Sequence, residues 1–449
     1  MFDRMQYRFM YGYYGFAGWL KSRFTPAGKL ALLGLMASGL LAWTPNKTLA
    51  YQIAPFLFLL FVFAVGCSYF FSLRLRVQRR LPRMATVGTS ISYKCTIENQ
   101  TGKIQSGLTL AEKFKDTKPS FDQFRLLTLS PQPGRNKIQT ILEQDKIRIR
   151  SFKEEGASGR HQVLPDLPPQ KALEIENSFT PLKRGYLRLA GVEIFRPDPL
   201  GLYHSAVTVP CEESLLVIPK IYPAPALRLA GSRKHNQKGV ALASHIGDSE
   251  EFIALRDYRP GDPLRTIHWK SWAKVGHPVV KQYQDEYFSR YALILDTFTQ
   301  VDSDLFEEAV SVAASFSANM DMGESLLDLM FVGTESYCFT SGRSLGDTDR
   351  ILEILATVRS CREHSFEQLS QLVMSRSALL SGSICVLLSW DETRQALVRH
   401  LRSLNIPLMV FVIVEKGAEL EIDPGPMKDQ ADHFHVLERG RIAEVLQNL

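Results

Sequence analysis

Hydrophobic and polar positions change rhythm twice along the chain, and each rhythm predicts a different kind of structure. The N-terminal part carries two long apolar runs, Leu30–Trp43 and Leu49–Leu73, separated by the turn sequence Thr44-Pro45-Asn46-Lys47. A bilayer needs roughly 20 apolar residues in a helix. The segments 26–44 and 49–73 approach or reach that length, the first barely, so two membrane helices are expected. From Thr89 the pattern becomes period-two, as in TSISYKCTIEN, where Tyr93, Cys95 and Ile97 share one face. Similar pieces recur at 107–114, 172–179, 186–195, 204–209 and 215–219, with fragments near 137–142 and 146–152. Many short alternating strands without a helical period predict an Ig-like β-sandwich. From Tyr291 strands and helices alternate. Strands are expected at 291–296, 326–332, 337–340, 384–389, 408–414 and 433–437, and helices at 304–320, 347–359, 365–375, 391–404 and 441–449. Leu408–Val414 is wholly apolar, as in a parallel strand covered on both faces. This part predicts a doubly wound α/β sheet. Asp347 or Thr348 is expected to cap its helix.

Charge sharpens this division. The 449 residues carry a net +6, but residues 1–83 hold 11 Lys/Arg against the single acid Asp3. The remainder holds 42 basic and 46 acidic residues, so its balance argues against a nucleic-acid partner. Basic flanks on both sides of the apolar pair are expected to place both ends and the soluble bulk in the cytoplasm. Residues 1–25, with Tyr7, Phe9, Tyr11, Tyr13, Tyr14, Phe16 and Trp19, have the composition of a bilayer-interface segment. No secretory signal is apparent. The six cysteines are scattered without metal-ligand spacing, as expected of free thiols in a reducing compartment. The expected organisation is a membrane anchor (1–83), a β-sandwich (84–222), a linker rich in small and polar residues (223–250) and a C-terminal domain (251–449).

The densest cluster of chemistry lies just before the α/β pattern, at FIALRDYRPGDPLRTIHWKSWAKVGHPVVKQYQDEYFSRYALILDT (Phe252–Thr297). Pro260-Gly261 suits the two central positions of a type II turn. Phe252, Leu255, Arg256, Tyr258, Pro260, Gly261, Asp262, Arg265, Ile267, Trp269, Lys270 and Ala273, followed by Val279, Val280, Lys281, Glu286 and Asp296, resemble the motif of the bacterial family called domain of unknown function 58. PLKRGYLRL…RPDPLGLY (Pro181–Tyr203) resembles a region that often precedes that motif; Arg184-Gly185 and Asp198–Gly201 within it read as turns fixing hairpin geometry. The resemblance implies a von Willebrand factor A-like domain behind a membrane anchor. It also implies an adaptor that works with a MoxR-type AAA+ ATPase on a protein client. Arg256, Tyr258, Asp262, Arg265, Trp269 and Lys270 are then the expected partner-binding or loop-ordering residues, since Trp and Arg anchor interfaces. The plainer expectation is an internal network, with Arg256 and Arg265 paired to Asp257 or Asp262 over a buried Trp269.

Two other chemistries fit parts of the sequence. A-type domains can hold a divalent ion beyond the strand ends, on Asp-x-Ser-x-Ser and later Thr and Asp residues. Here the motif reads Asp296-Thr297-Phe298-Thr299-Gln300, so Phe298 and Gln300 replace both serines. Asp296, Thr299 and Asp391 remain as ligands for Mg²⁺, a hard ion that takes oxygen donors. No other cofactor is expected. Hydrolysis would draw on Asp257, Asp262 and His268, but the chain has no nucleophile elbow, P-loop, H-E-x-x-H or dinucleotide glycine motif, and an enzyme is not expected. The dispersed His235, His245, His268 and His277 lack metal spacing.

Overall fold

A computed structural model describes residues 2–41, 48–69, 73–115, 121, 124, 149, 156–225, 252–262, 264–283, 289–299, 304–319, 325–342, 345–361, 363–417 and 422–449. The expected turn at 44–47, the strand fragments at 137–142 and 146–152 (Ile149 excepted) and most of the linker lie outside these residues. The chain divides into two compact units, one essentially Met1–Ile221, the other beginning at Tyr222.

Helices open the first unit: α1 (Phe2–Arg23), α2 (Pro26–Leu41) and α3 (Thr48–Tyr69). Phe9, Tyr13 and Phe16 of α1 are exposed, and Phe9 stacks on Tyr13 at 6.4 Å. Pro26 opens α2, where its missing N–H leaves no helical bond unmade, and Thr25 Oγ1 accepts from Gly28 N at 2.9 Å. Within α3, Gln52–Tyr69 forms 18 residues apolar and long enough to cross a membrane, whereas α2 has 16 described residues. Both helices turn large apolar side chains outward, Leu33 and Met36 on α2, Phe58 and Val62 on α3.

Among the described residues nine strands follow: β1 (Leu75–Arg80), β2 (Met84–Thr86), β3 (Ile91–Asn99), β4 (Thr109–Phe114), β5 (Ala157–Gly159), β6 (Gln162–Val163), β7 (Ala172–Pro181), β8 (Gly185–Pro197) and β9 (His204–Ile218). They form sheets of order β1-β3-β7-β5 and β2-β9-β8-β4-β6. Val77, Cys95, Ile97 and Phe179 from one sheet join Leu110, Leu189, Ile194 and Val217 from the other in one core. β1 is unexpected, because its alternation of Leu75, Val77 and Arg79 inward looks like a basic flank of the apolar run. Arg79 takes the third core position and meets Glu112 at 2.7 Å, both side chains out of solvent. Tyr93 donates to the same carboxylate, and Asn177 donates to the Tyr93 hydroxyl at 2.7 Å. The pair expected at 204–209 and 215–219 is one 15-residue strand. Pro210 does not break β9, because it lies opposite Gly191 at a register shift where an added Cβ would come within 2.4 Å of Val209 O.

The Asp198–Tyr203 turn does more than join β8 to β9. Asp198 Oδ1 accepts from Leu202 N and Tyr203 N, each at 2.7 Å, and Oδ2 from Leu200 N at 3.0 Å. The turn so fixed receives the α1–α2 junction. Thr25 donates from Oγ1 to Gly201 O at 2.7 Å and from its backbone to Leu202 O at 3.2 Å, and Phe24 pairs with Tyr203. A Cβ on Gly28 would lie 2.0 Å from Leu202 O, so only glycine fits there.

The second unit begins with a ribbon of β10 (Phe252–Asp257) and β11 (Val279–Tyr283), which encloses a 3₁₀ turn (Leu264–Thr266) and α4 (Trp269–Val275). Then come β12 (Ser289–Leu295), α5 (Asp304–Asn319), β13 (Ser325–Val332), β14 (Ser336–Ser341), α6 (Leu345–Thr357), α7 (Phe366–Arg376), β15 (Gly382–Leu387), α8 (Glu392–Ser403), β16 (Leu408–Val414), β17 (Phe434–Glu438) and α9 (Ile442–Gln447). The sheet order is β14-β13-β12-β15-β16-β17, parallel except for the antiparallel edge β14. Ala292, Ile294, Val410 and Val412 pack with Leu369 of α7 and Leu397 and Leu401 of α8. Phe411 points the other way, onto Phe316 of α5 at 4.8 Å, so helices cover both faces. Asp347 is not a cap. It lies inside the first turn of α6 and accepts from Gly342 N at 3.1 Å.

Candidate functional site

The ribbon and α4 form a small appendage with a minimal core of Ile267, Val279 and Val280. Its tip is the expected turn. Asp262 N donates to Arg259 O at 3.0 Å across Pro260-Gly261, and Gly261 has φ 108°. The Asp262 carboxylate then ties the turn to the strand. It accepts two bonds of 2.7 Å from the Arg256 guanidinium and one of 2.8 Å from Arg259 N. This bidentate clamp, with the Arg259 amide, holds the Asp262 carboxyl down at about 2. The arginine–aspartate pairing expected for Arg256 is therefore present.

Trp269 is not buried beneath it. The α4 helix starts after His268, whose Nδ1 lies 2.7 Å from Ser271 Oγ, and ends at Gly276 with φ 78°. On it Trp269 is 64% exposed and stacks on Trp272 at 5.2 Å. Leu264 is 68% exposed, and Lys270, Lys274 and Val275 are also exposed. Tyr258 is half-buried, with its N–H on Pro278 O at 3.0 Å. Arg265 lies in the 3₁₀ turn, and its side chain is outside the described residues. Segment 252–283 carries six Lys/Arg against two acids, whereas 284–449 carries 13 against 26. The appendage is thus a positive, partly apolar island in an acidic unit. The residues of the hydrolase alternative have different partners: Asp257 pairs with His277 at 3.0 Å, Asp262 with Arg256, and His268 with Ser271.

A second constellation sits where the strand order reverses, between β12 and β15. In open α/β sheets the crevice beyond the strand ends at this point is the usual ligand position. Asp296, just after β12, is fully buried. Its Oδ1 accepts from Phe298 N at 3.0 Å, and its Oδ2 accepts from Leu388 N at 3.1 Å and Arg394 Nε at 2.8 Å. Asp391 caps α8. Its Oδ1 accepts from Thr393 Oγ1 at 2.7 Å and Arg394 N at 3.0 Å, and its Oδ2 from Arg394 Nη1 at 2.5 Å. Partial burial pushes the Asp391 carboxyl up, but Thr393 and Arg394 outweigh it and hold it below the ordinary range. Asp296 and Asp391, assigned from sequence as metal ligands, thus meet on one guanidinium. Arg394 was not a sequence-based candidate. An arginine three residues after a helix-capping aspartate looks like an ordinary i,i+3 pair, and nothing local shows that α8 delivers it to Asp296. Thr299, the third assigned ligand, is half-buried in the loop after β12. Among the described residues no group of three or more His, Cys, Asp or Glu is arranged to hold a metal ion. All six cysteines are free, and burial pushes the Cys95 and Cys385 thiols up to about 12.

No family model matches the chain. Over 193 residues it is 26% identical to the uncharacterized protein YeaD of Bacillus subtilis (strain 168), covering 42% of this chain and 46% of that protein. The chain thus spans about half the length of this curated relative. Three solved structures that align with it each cover 32% of the chain. They include the CARDB domain of a Pyrococcus furiosus protein (10% identity, 93% of that chain, TM-score 0.16). A beta-glucosidase from Listeria innocua (10%, 16% of that chain, 0.17) and a cohesin module from Clostridium perfringens (7%, 98%, 0.15) align similarly. Scores this low bear on neither the fold nor the function of the chain.

Proposed function

We propose that this protein is a membrane-anchored scaffold which presents the α4 appendage to a MoxR-type AAA+ ATPase in the assembly or activation of a client protein. In this reading α2 and α3 are two membrane helices with both ends in the cytoplasm of a bacterial inner membrane. The two-sheet region is an Ig-like sandwich, and the C-terminal sheet is a von Willebrand factor A-like domain. The motif resemblance supports the family and the partner. The outward apolar side chains of α2 and α3 support the anchor.

The observation that carries the site is the exposed Trp269–Trp272 stack beside Lys270 and Lys274, on a helix held by a clamped turn. A protein has little reason to leave a tryptophan 64% exposed on a pre-ordered element unless something covers it. The local positive balance fits an acidic partner face with an apolar recess.

The test is co-purification from membranes. Arg265→Ala or Trp269→Ala should stay in the membrane at wild-type level and lose the ATPase. Full recovery of the ATPase by folded variants would remove the appendage as the docking element. Turnover of a substrate, lost in Asp262→Asn, would favour an enzyme instead.

A further inference from the structure

We infer that Arg394 is a resident cation, which closes the switch-point corner of the C-terminal sheet and makes it independent of divalent metal. The metal that the family resemblance implies does not fit the residues present. A magnesium ion takes near-octahedral oxygen ligands. The position of the first serine in the ion-binding motif is Phe298, whose ring packs edge-on against Phe366 at 5.7 Å. The Arg394 guanidinium lies over the same Phe366 ring at 4.6 Å. Phe366 is therefore a shared platform, in contact both with the phenylalanine that stands in place of a hydroxyl ligand and with the guanidinium that supplies positive charge. The two departures from an ion site complement each other.

The guanidinium also makes the connections a bridging ion would make. Through Nε it holds Asp296 after β12, and through Nη1 it holds Asp391 after β15. Leu388 N binds the same Asp296 oxygen and ties the two strand ends together directly. Arginine suits this role because it stays charged and presents its N–H groups in a fixed fork. Arg394 is only 7% exposed, and both its carboxylate partners come from the chain itself. A carboxylate from another protein therefore has no open cation to bind at this corner. This holds whether or not the appendage docks an ATPase.

The test uses the full chain in detergent or nanodiscs, freed of metal by chelation. Mg²⁺ and Mn²⁺ titrated by calorimetry should give no saturable heat, and the thermal midpoint should be the same in chelator and in millimolar Mn²⁺. Saturable binding to wild type that Asp296→Asn abolishes would overturn the inference. A double-mutant cycle tests the pairing independently of any metal. Asp296→Asn and Arg394→Gln should each lower the thermal midpoint, and the double variant should lower it by clearly less than the sum. Strictly additive shifts would contradict a resident cation. If Arg394→Gln fails to fold, Arg394→Lys supplies the cycle, and the wild-type titration still decides.

Discussion

Two arginine–aspartate constellations in the second unit differ in what surrounds them. At the appendage, Arg256 and Asp262 meet in a bidentate pair of 2.7 Å bonds that is open to solvent, with the arginine side chain 38% exposed. At the sheet corner, Arg394 meets Asp296 at 2.8 Å with almost no solvent. Water and salt screen the first pair, so it adds little to global stability and serves to shape a turn. The second is desolvated, so removing Arg394 leaves the buried Asp296 without a counter-charge. The same pair of residue types therefore supports opposite roles. The exposed pair presents a helix outward, and the buried pair shuts a crevice that the topology leaves available.

The largest effect should come from the buried side. Arg394→Ala leaves the buried Asp296 without its cation, and thermal or denaturant unfolding should show a loss of about 3–5 kcal/mol. Next is the junction of α1 and α2. Gly28→Ala drives a Cβ into Leu202 O, and overpacking of this kind costs about 1–3 kcal/mol. Because the clash falls on the Asp198–Tyr203 turn, limited proteolysis should cut near residue 24 faster in this variant while the sandwich core stays resistant. Trp269→Ala should change stability by no more than about 0.5 kcal/mol, since the side chain faces solvent. A loss of several kcal/mol would mean that the indole is structural, and the contrast between the two regions would fail.

The smallest effect is acid titration of the exposed clamp. The folded Asp262 carboxyl lies at about 2, below its ordinary 3.8. A depressed acid stabilises the fold above its unfolded value and loses that contribution as pH falls towards the folded value. The ordering of the turn should therefore be complete above about pH 4 and disappear as pH approaches 2. Near-ultraviolet circular dichroism of the stacked Trp269–Trp272 pair, compared between wild type and Asp262→Asn, reads this out. Coincident curves across that window would show that the clamp does not order α4.

The alternation of apolar and polar residues carried much of the architecture. The run Leu408–Val414 is the interior parallel strand it resembles, and Arg259-Pro260-Gly261-Asp262 is the turn its residue types require. What stayed hidden depended on distant parts of the chain. The β1 strand looks like a charged flank until Glu112, 33 residues away, accepts the buried Arg79. The continuity of β9 through Pro210 depends on a glycine on the neighbouring strand. The DPLGLY segment looks like a hairpin turn, and its second task as a seat for Thr25 and Gly28 appears only when residues 176 positions apart meet. The sequence assigned Asp296 and Asp391 to one corner, but Arg394, which bonds to both carboxylates there, is brought in by α8 from outside the local pattern. Exposure was equally illegible, because a tryptophan followed by lysine suits a buried anchor or a free one.

The contrast between the two regions can be tested in a single measurement. A photo-crosslinking amino acid is placed at position 269 in one version of the protein and at position 392, beside the corner, in another. Both are irradiated in intact membranes. The expected result is an adduct from position 269, identified by mass spectrometry as the MoxR-type ATPase, with none from position 392. An ATPase adduct from position 392 and none from 269 would put the interface at the corner and contradict the proposed role of the appendage.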